Sequence, residues 1–271
     1  MILYVPVRMM IGTAAVTALE DGGGQFFRPR REVFPEASEE LWRRADAFDP
    51  GAVSADGEWL LRFRCFTIQL ESGETVLVDA GIGPVDAPAA VWAPVPGHLP
   101  DELVAAGVAT DDVSTVVITH LHNDHIGWAI VDRAPYFRNA RYVLQKTEYE
   151  AVDAVNPALR ERLLNPLREA GQLHLVDGTA SLGRGLSTVH TPGHTPGHQC
   201  VLLDDGGDVL ALTGDLLVHA IQLVDPTTPY AVEFDQALAR ESRVRLLDSV
   251  AAVGGRIATA HLTEAFQPAK P

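Results

Sequence analysis

The chain has 271 residues, of which 46% are hydrophobic and 21% charged, and its formal net charge is −15 at pH 7. This composition excludes an intrinsically disordered chain, because the apolar residues suffice for a sizeable core. The acidic balance argues against nucleic acid or an anionic membrane surface as a partner, since proteins that bind phosphates usually present basic patches.

The N-terminal residues 1–19 are apolar but have no leading basic region, which argues against a signal peptide. A first strand and hairpin, turning at residues 21–24 in a cytoplasmic protein, is the favoured interpretation. No apolar run of about 18 residues occurs, so no membrane-spanning helix is expected. Cys65 and Cys200 lie in strand-like segments without CxxC spacing, which predicts buried free thiols rather than a disulfide or a thiolate zinc site.

Residues 27–35 combine aromatic residues and prolines with three arginines, Arg28, Arg30 and Arg31. One interpretation is a flap over a pocket. The other is a surface loop whose arginines pair with carboxylates, and the general behaviour of loops favours it.

Short apolar segments bounded by turn residues predict strands along the rest of the chain. They cover residues 61–70, 75–78, 115–119, 141–144, 173–176, 186–189, 199–203, 209–213 and 256–259. Many short strands with few helices predict layered sheets with helices outside them, in one domain.

Three helices are predicted from their end signals. A capping-box pattern of Thr147 and Glu150 precedes a helix over 151–155. A second helix, over 158–170, follows an Asn-Pro pair and ends at Gly171. A third begins after Asp235 and ends at about Val253.

Three histidines and an aspartate follow the strand predicted over 115–119, namely His120, His122, Asp124 and His125. Neutral imidazole is the commonest nitrogen ligand of zinc and its neighbours. Side chains two residues apart in an extended segment point the same way, so His120 and His122 could bind one ion together. Asp124 and His125 could then serve a second ion.

Metal-binding groups recur after later turns and strand ends. Residues 191–198 contain two Pro-Gly turns that each deliver a histidine, of which His194 is interpreted as a ligand and His198 as a supporting residue. Asp215 and His261 each follow a predicted strand. Together, five histidines and two aspartates would complete a shell for two divalent ions, with zinc as the default and iron or manganese as alternatives.

The order of these groups resembles that of the metallo-β-lactamase-fold hydrolase superfamily. Residues 120–125 match its HxHxDH signature, Asp79 precedes it, and His194, Asp215 and His261 follow in the expected order, over about residues 61–266. The resemblance implies an α/β fold, a four-layer αββα sandwich, with the metal site between the sheets at one edge. A single domain over 1–271 would combine this core with N-terminal strands and a candidate flap in 1–60.

The resemblance also assigns roles to the candidate residues. One ion would be held by His120, His122 and His194. The other would be held by Asp124, His125 and His261. Asp215 would bridge the two ions, while Asp79 and His198 would support the ligands through hydrogen bonds.

Residues 191–198 are similar to a segment of N-acyl-homoserine lactonases and of the methyl-parathion-hydrolase branch, and residues 214–235 are more similar to the latter. Such lactonases use a tyrosine soon after the bridging aspartate, whereas the first tyrosine here is Tyr230. Tyr230 and His219 are candidate pocket residues, and a partly buried loop histidine is the alternative for His219. Trp92, Trp128 and Phe137 are further wall candidates, and core packing is expected for at least half of these three and Tyr230.

These observations predict a metal-dependent hydrolase in which a hydroxide shared by two ions attacks a small ester, lactone or phosphotriester-like substrate. Asp124 and Asp215 are the candidate catalytic carboxylates. The alternatives are a glyoxalase II-like thioesterase and a mononuclear-iron sulfur dioxygenase of the same fold. The expected partner is a small-molecule substrate, and a homodimer is the further hypothesis.

Overall fold

The computed structural model describes residues 6–271, so the first five residues of the predicted N-terminal strand lie outside the described residues. In chain order its strands are Arg8–Ile11 (β1), Ala14–Gln25 (β2), Leu60–Gln69 (β3), Thr75–Val78 (β4), Val113–Val117 (β5), Ile130–Val131 (β6), Ala134–Pro135 (β7), Arg141–Gln145 (β8), Leu173–Val176 (β9), Ala180–Gly183 (β10), Leu186–His190 (β11), Gln199–Asp205 (β12), Asp208–Leu212 (β13), Arg256–Ala258 (β14) and Phe266–Pro268 (β15).

The helices flank these strands. In chain order they are Arg30–Val33 (α1), Glu39–Phe48 (α2), Leu99–Ala105 (α3), Asn123–Ile126 (α4), Lys146–Val155 (α5), Asn165–Glu169 (α6), Ile221–Val224 (α7) and Gln236–Ala252 (α8). A π-helical turn over Arg160–Leu164 leads into α6. Among residues 6–271, no helix combines the length and apolar character that crossing a membrane requires.

Within the described residues the strands form two main sheets. The first has seven strands in the order β1-β2-β3-β4-β5-β8-β9, and the second has six, β10 to β15, in sequence order. Strands β4, β5, β8 and β9 run parallel in the first sheet, as do β13 and β14 in the second. Parallel neighbours end at the same edge of their sheet, so the segments that follow them lie together.

The two sheets pack face to face between helices, which confirms the predicted αββα sandwich. Ile68 of the first sheet and Val201 of the second belong to the core between them. Helices α3, α5 and α6 contribute buried side chains to the outer face of the first sheet. On the second sheet, Leu246 and Val250 of α8 share a buried cluster with Ile257. Burying each such side chain contributes roughly 1.5–3 kcal/mol.

The N-terminal part of the sheet differs from the predicted hairpin. The turn predicted at residues 21–24 is wrong, because β2 continues through this segment and pairs with β3, with a bulge between Glu20 and Gly22. The bulge points Asp21 inward, where its carboxylate accepts hydrogen bonds from the Ile82 and Leu99 amides at 2.5 and 2.6 Å and from the Trp128 indole at 3.1 Å. The actual turn lies between β1 and β2.

Several local predictions are also corrected by tertiary contacts. Helix α5 begins at Lys146 without a side-chain cap, so the capping box at Thr147 is wrong; its hydroxyl lies 3.4 Å from His190 Nε2. The helix predicted over 158–170 is a π-helical turn followed by α6, and α2 and α3 were not predicted. Cys65 and Cys200 are buried and free, as expected.

Candidate metal centre

The candidate ligands collect at one edge of the sandwich because both sheets end parallel strands there. In the first sheet Asp79 follows β4, and His120 follows β5. In the second sheet Asp215 follows β13, and His261 follows β14, its parallel neighbour. Short loops at four strand ends therefore hold side chains from distant parts of the chain at one place.

The first group of donors consists of His120, His122, His194 and Asp215, whose ligand atoms all lie within 4.8 Å of one another. His122 Nδ1 lies 2.9 Å from His120 Nε2 and 3.0 Å from His194 Nε2. His194 Nε2 is 3.2 Å from Asp215 Oδ2. Imidazole nitrogens directed at one point in this way suit the tetrahedral coordination of a zinc-like cation.

The second group consists of Asp124, His125 and His261, again within 4.8 Å. Asp124 Oδ2 lies 3.5 Å from His125 Nε2 and 3.7 Å from His261 Nε2. Asp215 Oδ1 lies 3.1 and 2.9 Å from the same two nitrogens. The two oxygens of Asp215 therefore face different groups.

The chemistry of the donor set fits divalent cations. His125 Nε2 and Asp215 Oδ1 are buried and have no hydrogen-bond partner among the described residues, and a buried polar atom without a partner is costly. Burial lowers the pKa of His122 to about 4, so its ring is neutral and can act as a ligand. Burial opposes charge on His125, but Asp215 and Asp124 outweigh it and raise its pKa well above the ordinary value. The pocket thus favours a positive charge.

Asp79 lies behind the donors and holds one of them, His125, together with Thr119, the residue before His120. Its carboxylate accepts hydrogen bonds from the Thr119 amide at 2.8 Å, the Thr119 hydroxyl at 2.9 Å and His125 Nδ1 at 2.8 Å. Because Nδ1 of His125 donates to Asp79, Nε2 is left as the atom that faces the donor group. Sequence analysis predicted that Asp79 supports a ligand in this way, and its role stays a prediction.

His198 lies beside the centre but turns both ring nitrogens to the backbone and to Thr191. Its Nε2 accepts a hydrogen bond from the Asp215 amide at 3.1 Å, so Nδ1 carries the proton and donates to the Thr191 carbonyl at 3.2 Å. The ring thereby holds the turn that carries Asp215. The supporting role of His198 stays a prediction, to which these hydrogen bonds give a geometry.

Glu148, which sequence reasoning missed, joins the two histidine-bearing loops. Its carboxylate accepts hydrogen bonds from the Leu121 amide at 3.0 Å and the Gly197 amide at 2.7 Å. A Cβ on Gly197 would lie 2.2 Å from the Glu148 amide nitrogen, so only glycine permits this approach. The only local signal was a glutamate next to the predicted cap Thr147, which does not indicate a buried acceptor.

A cavity of about 280 Å³ opens above the donors. Its floor carries side chains of the metal centre, including Asp124 and Asp215. Its wall is mainly apolar, with Phe26, Phe27, Trp59, Leu61, Trp92, Leu121, Val155, Val218, Tyr230 and Val232. Within residues 27–35, Phe27 lines the cavity together with the preceding Phe26. The three arginines of this segment pair with carboxylates, as the surface-loop interpretation expects.

Some of the predicted pocket residues line the cavity and others do not. Tyr230 lines the cavity, where its ring stacks on His194 at 6.3 Å between centroids, and Trp92 lies in the same wall. His219 differs from the prediction, because it packs between Phe34, Trp42 and Trp59 and is not in the lining. Its Nδ1 accepts the Ile221 amide proton at 3.0 Å, which fixes it in this aromatic cluster.

The other two aromatic candidates do not line the cavity. The indole of Trp128 donates to Asp21, and Phe137 is fully buried in the core beneath the helices of the first sheet. Two of the four candidates, Trp128 and Phe137, therefore serve packing, which confirms the expectation that at least half would do so.

Comparison with known proteins places this geometry in a family context. The profile described as the metallo-beta-lactamase superfamily matches residues 64–261. An N-acyl homoserine lactonase from Bacillus sp. is 33% identical over 150 residues, which cover 55% of this chain and 55% of that protein. The lactonase AttM from Rhizobium radiobacter is 34% identical over 117 residues, 38% of this chain and 40% of that protein. The chain thus spans about half the length, or less, of these relatives.

Solved structures extend the likeness of the fold to nearly the whole chain. The hydrolase AbOPH, of the beta-lactamase superfamily, aligns with a TM-score of 0.79 at 21% identity, covering 99% of this chain and 98% of that one. AidC, a dizinc quorum-quenching lactonase solved with a product, N-hexnoyl-L-homoserine, aligns with a TM-score of 0.78 at 21% identity, covering 97% and 93%. At this identity the likeness establishes a shared fold.

Proposed function

The chain belongs to the metallo-beta-lactamase superfamily, and from that premise we propose that it is a dinuclear metal-dependent hydrolase that opens lactones or small esters bearing an apolar group. The observation that carries the proposal is the position of Asp215. Its Oδ2 lies 3.2 Å from His194 Nε2 and its Oδ1 lies 2.9 Å from His261 Nε2. One carboxylate that faces two donor groups suits a bridge between two cations.

In this proposal one ion is held by His120, His122 and His194, and the other by Asp124, His125 and His261. Zinc is the proposed metal, because imidazole and carboxylate form a common shell for it. Two such ions would lower the pKa of a shared water and polarise the substrate carbonyl. The protein would keep the ligands in place through Asp79 and His198.

The carboxylates have separate proposed roles. Asp215 would bridge the ions, which fixes their separation. Asp124 lines the cavity, and its Oδ2 lies close to both His125 and His261. We therefore assign it the acceptance of a proton from the attacking water and the delivery of that proton to the leaving oxygen. Tyr230 would contact the substrate from the wall.

The cavity supports the choice of substrate class. Polar groups are concentrated at its floor, whereas its wall is formed by aromatic and aliphatic side chains such as Phe26, Trp59 and Trp92. A substrate with a reactive carbonyl at one end and an alkyl chain at the other matches both surfaces. N-acyl homoserine lactones, which the named relatives hydrolyse, have this form.

The test combines metal analysis with a substrate panel. The purified protein should contain close to two zinc-like ions per chain and hydrolyse acyl lactones faster than aryl esters, phosphotriesters or thioesters. The advantage should increase with acyl length, by up to about fourfold per buried methylene. One iron and no zinc would overturn the proposal in favour of a sulfur dioxygenase, and a preference for thioesters would favour a glyoxalase II-like enzyme.

A further inference from the structure

The loop that carries His261 has little regular structure of its own. It lies between β14 and β15, and the Thr259 amide donates to the Ala265 carbonyl at 2.9 Å across its base. Three of its carbonyls, those of Thr259, Leu262 and Thr263, point toward the first sheet. Buried carbonyls need donors, and these three lie on both sides of His261.

The donors come from a single side chain, Arg64 of β3, which is 4% exposed. Its Nη1 donates to the Leu262 carbonyl and, at 3.4 Å, to the Thr259 carbonyl, while Nη2 donates to the Thr263 carbonyl at 2.5 Å. Its Nε donates to the carboxylate of Glu20, which balances the buried charge. Every nitrogen of the guanidinium is used.

The same strand also holds the His261 ring. His261 Nδ1 donates to the Arg62 carbonyl at 2.7 Å, which leaves Nε2 facing Asp215 and Asp124. That hydrogen bond can orient the ring only if the loop keeps its distance from β3. Arg64 maintains this distance, because its planar fork of donors spans carbonyls that a lysine ammonium could not reach together.

We propose that Arg64 is a positioning residue for the second metal ion: it holds the His261 loop so that Nε2 stays in register with Asp124 and His125. Arg64 touches neither ion nor substrate in this arrangement and acts through the loop backbone. The inference rests on the proposed two-ion function, and it concerns only the ion held by Asp124, His125 and His261.

The chain offers a matched control in Arg243, a second buried arginine paired with a glutamate. Arg243 pairs with Glu233 at 2.7 Å and donates to the carbonyls of Leu216, Pro226 and Thr228 at 3.1, 2.9 and 3.0 Å. Glu233 in turn accepts the Tyr230 amide at 3.1 Å. This pair therefore holds a loop of the cavity wall and the turn next to Asp215, whose carboxylate faces both groups of donors.

The experiment measures zinc binding to metal-stripped wild type, Arg64→Lys and Arg243→Lys by competition with a chromophoric chelator. We expect one of the two ions to bind about 10–100-fold more weakly in Arg64→Lys, as is typical when a group supporting a ligand is lost. The other ion should keep its affinity. In Arg243→Lys any loss of affinity should fall on both ions alike, because Asp215, next to the Leu216 carbonyl that Arg243 holds, faces both groups.

Hydrogen exchange of the metal-free proteins gives a second measurement that does not depend on bound metal. Amides of residues 259–264 should exchange faster in Arg64→Lys than in the wild type, and those of residues 216–228 should do so in Arg243→Lys. If Arg64→Lys does not fold, Glu20→Gln replaces it, since that change loosens the guanidinium while leaving the arginine in place.

A folded Arg64→Lys that binds both ions with wild-type affinity would overturn the inference while leaving the proposed function intact. Glu20→Gln would overturn it in the same way if it changed neither the affinity for either ion nor the exchange rate of the amides of residues 259–264. A wild type that binds one ion only would overturn the inference and the proposed two-ion function together. If such a protein still hydrolysed lactones, the two-ion mechanism would be wrong and the substrate class would be right.

Discussion

The floor and the wall of the cavity are built in different ways. The floor consists of polar side chains at the ends of central strands, and each is held by neighbours such as Asp79 and His198. The wall is assembled mostly from connecting segments, including Phe27, which remains 62% exposed, with Leu61 of β3 as an exception. The floor therefore accounts for the type of reaction, whereas the wall can select the substrate without altering the metal donors.

Removal of the metal ions should have the largest effect, because it should abolish the function of the floor and leave that of the wall. Chelation is expected to abolish hydrolysis of every substrate, with recovery on adding zinc, because the donors have no other means of activating water. Binding of a non-hydrolysable alkyl amide to the wall should persist, as followed by the fluorescence of Trp59 and Trp92. The distinction between the two regions is lost if chelation also abolishes that binding.

Asp215→Asn should have the next largest effect, since it removes the one carboxylate that faces both donor groups. We expect kcat/KM to fall by more than about 100-fold for all substrates, exceeding the usual loss for a supporting residue. Asp101→Asn, at an exposed carboxylate of α3, is the control. Retention of activity in Asp215→Asn would refute its bridging role.

Asp79→Asn tests whether the floor depends on support from behind. The amide cannot accept all the hydrogen bonds from Thr119 and His125 that the carboxylate accepts. Metal affinity should therefore fall by about 10–100-fold, as measured by chelator competition, with the relative rates for long and short acyl chains unchanged. A change in chain-length preference alone would contradict this assignment.

Phe27→Ala should have the smallest effect and should act on the wall alone. Loss of part of an apolar contact worth about 1 kcal/mol would lower kcat/KM for long-chain lactones by about fivefold. Short-chain lactones and metal content should be unaffected. Phe234→Ala is the matched control, because Phe234 is similarly exposed, at 65%, but does not line the cavity. Equal losses of kcat/KM in the two variants would show that the wall does not set the preference for long-chain lactones.

Local patterns predicted the strands well and their connections less well. The strands predicted over 75–78 and 173–176 coincide with β4 and β9, because short apolar runs have few alternatives. The turn predicted at 21–24 failed because three glycines tolerate a bulged strand once β3 pairs with it. The cap predicted at Thr147 failed because the side chain lies against His190 on another element.

The sequence by itself determined four of the seven candidate donors, since His120, His122, Asp124 and His125 are neighbours at one strand end and their spacing indicates a metal site. The signals for His194, Asp215 and His261, each after a turn or strand end, are weaker when taken alone. Only the tertiary structure decided that the two oxygens of Asp215 face different groups, that Phe27 lines the cavity and His219 does not, and that Arg64 holds a loop about 200 positions along the chain. The physical reason is the distance along the chain over which the residues interact. A strand end depends on residues close to it in sequence. A buried carbonyl finds its donor, and an apolar wall its contacts, in segments that are distant in sequence and meet only through packing.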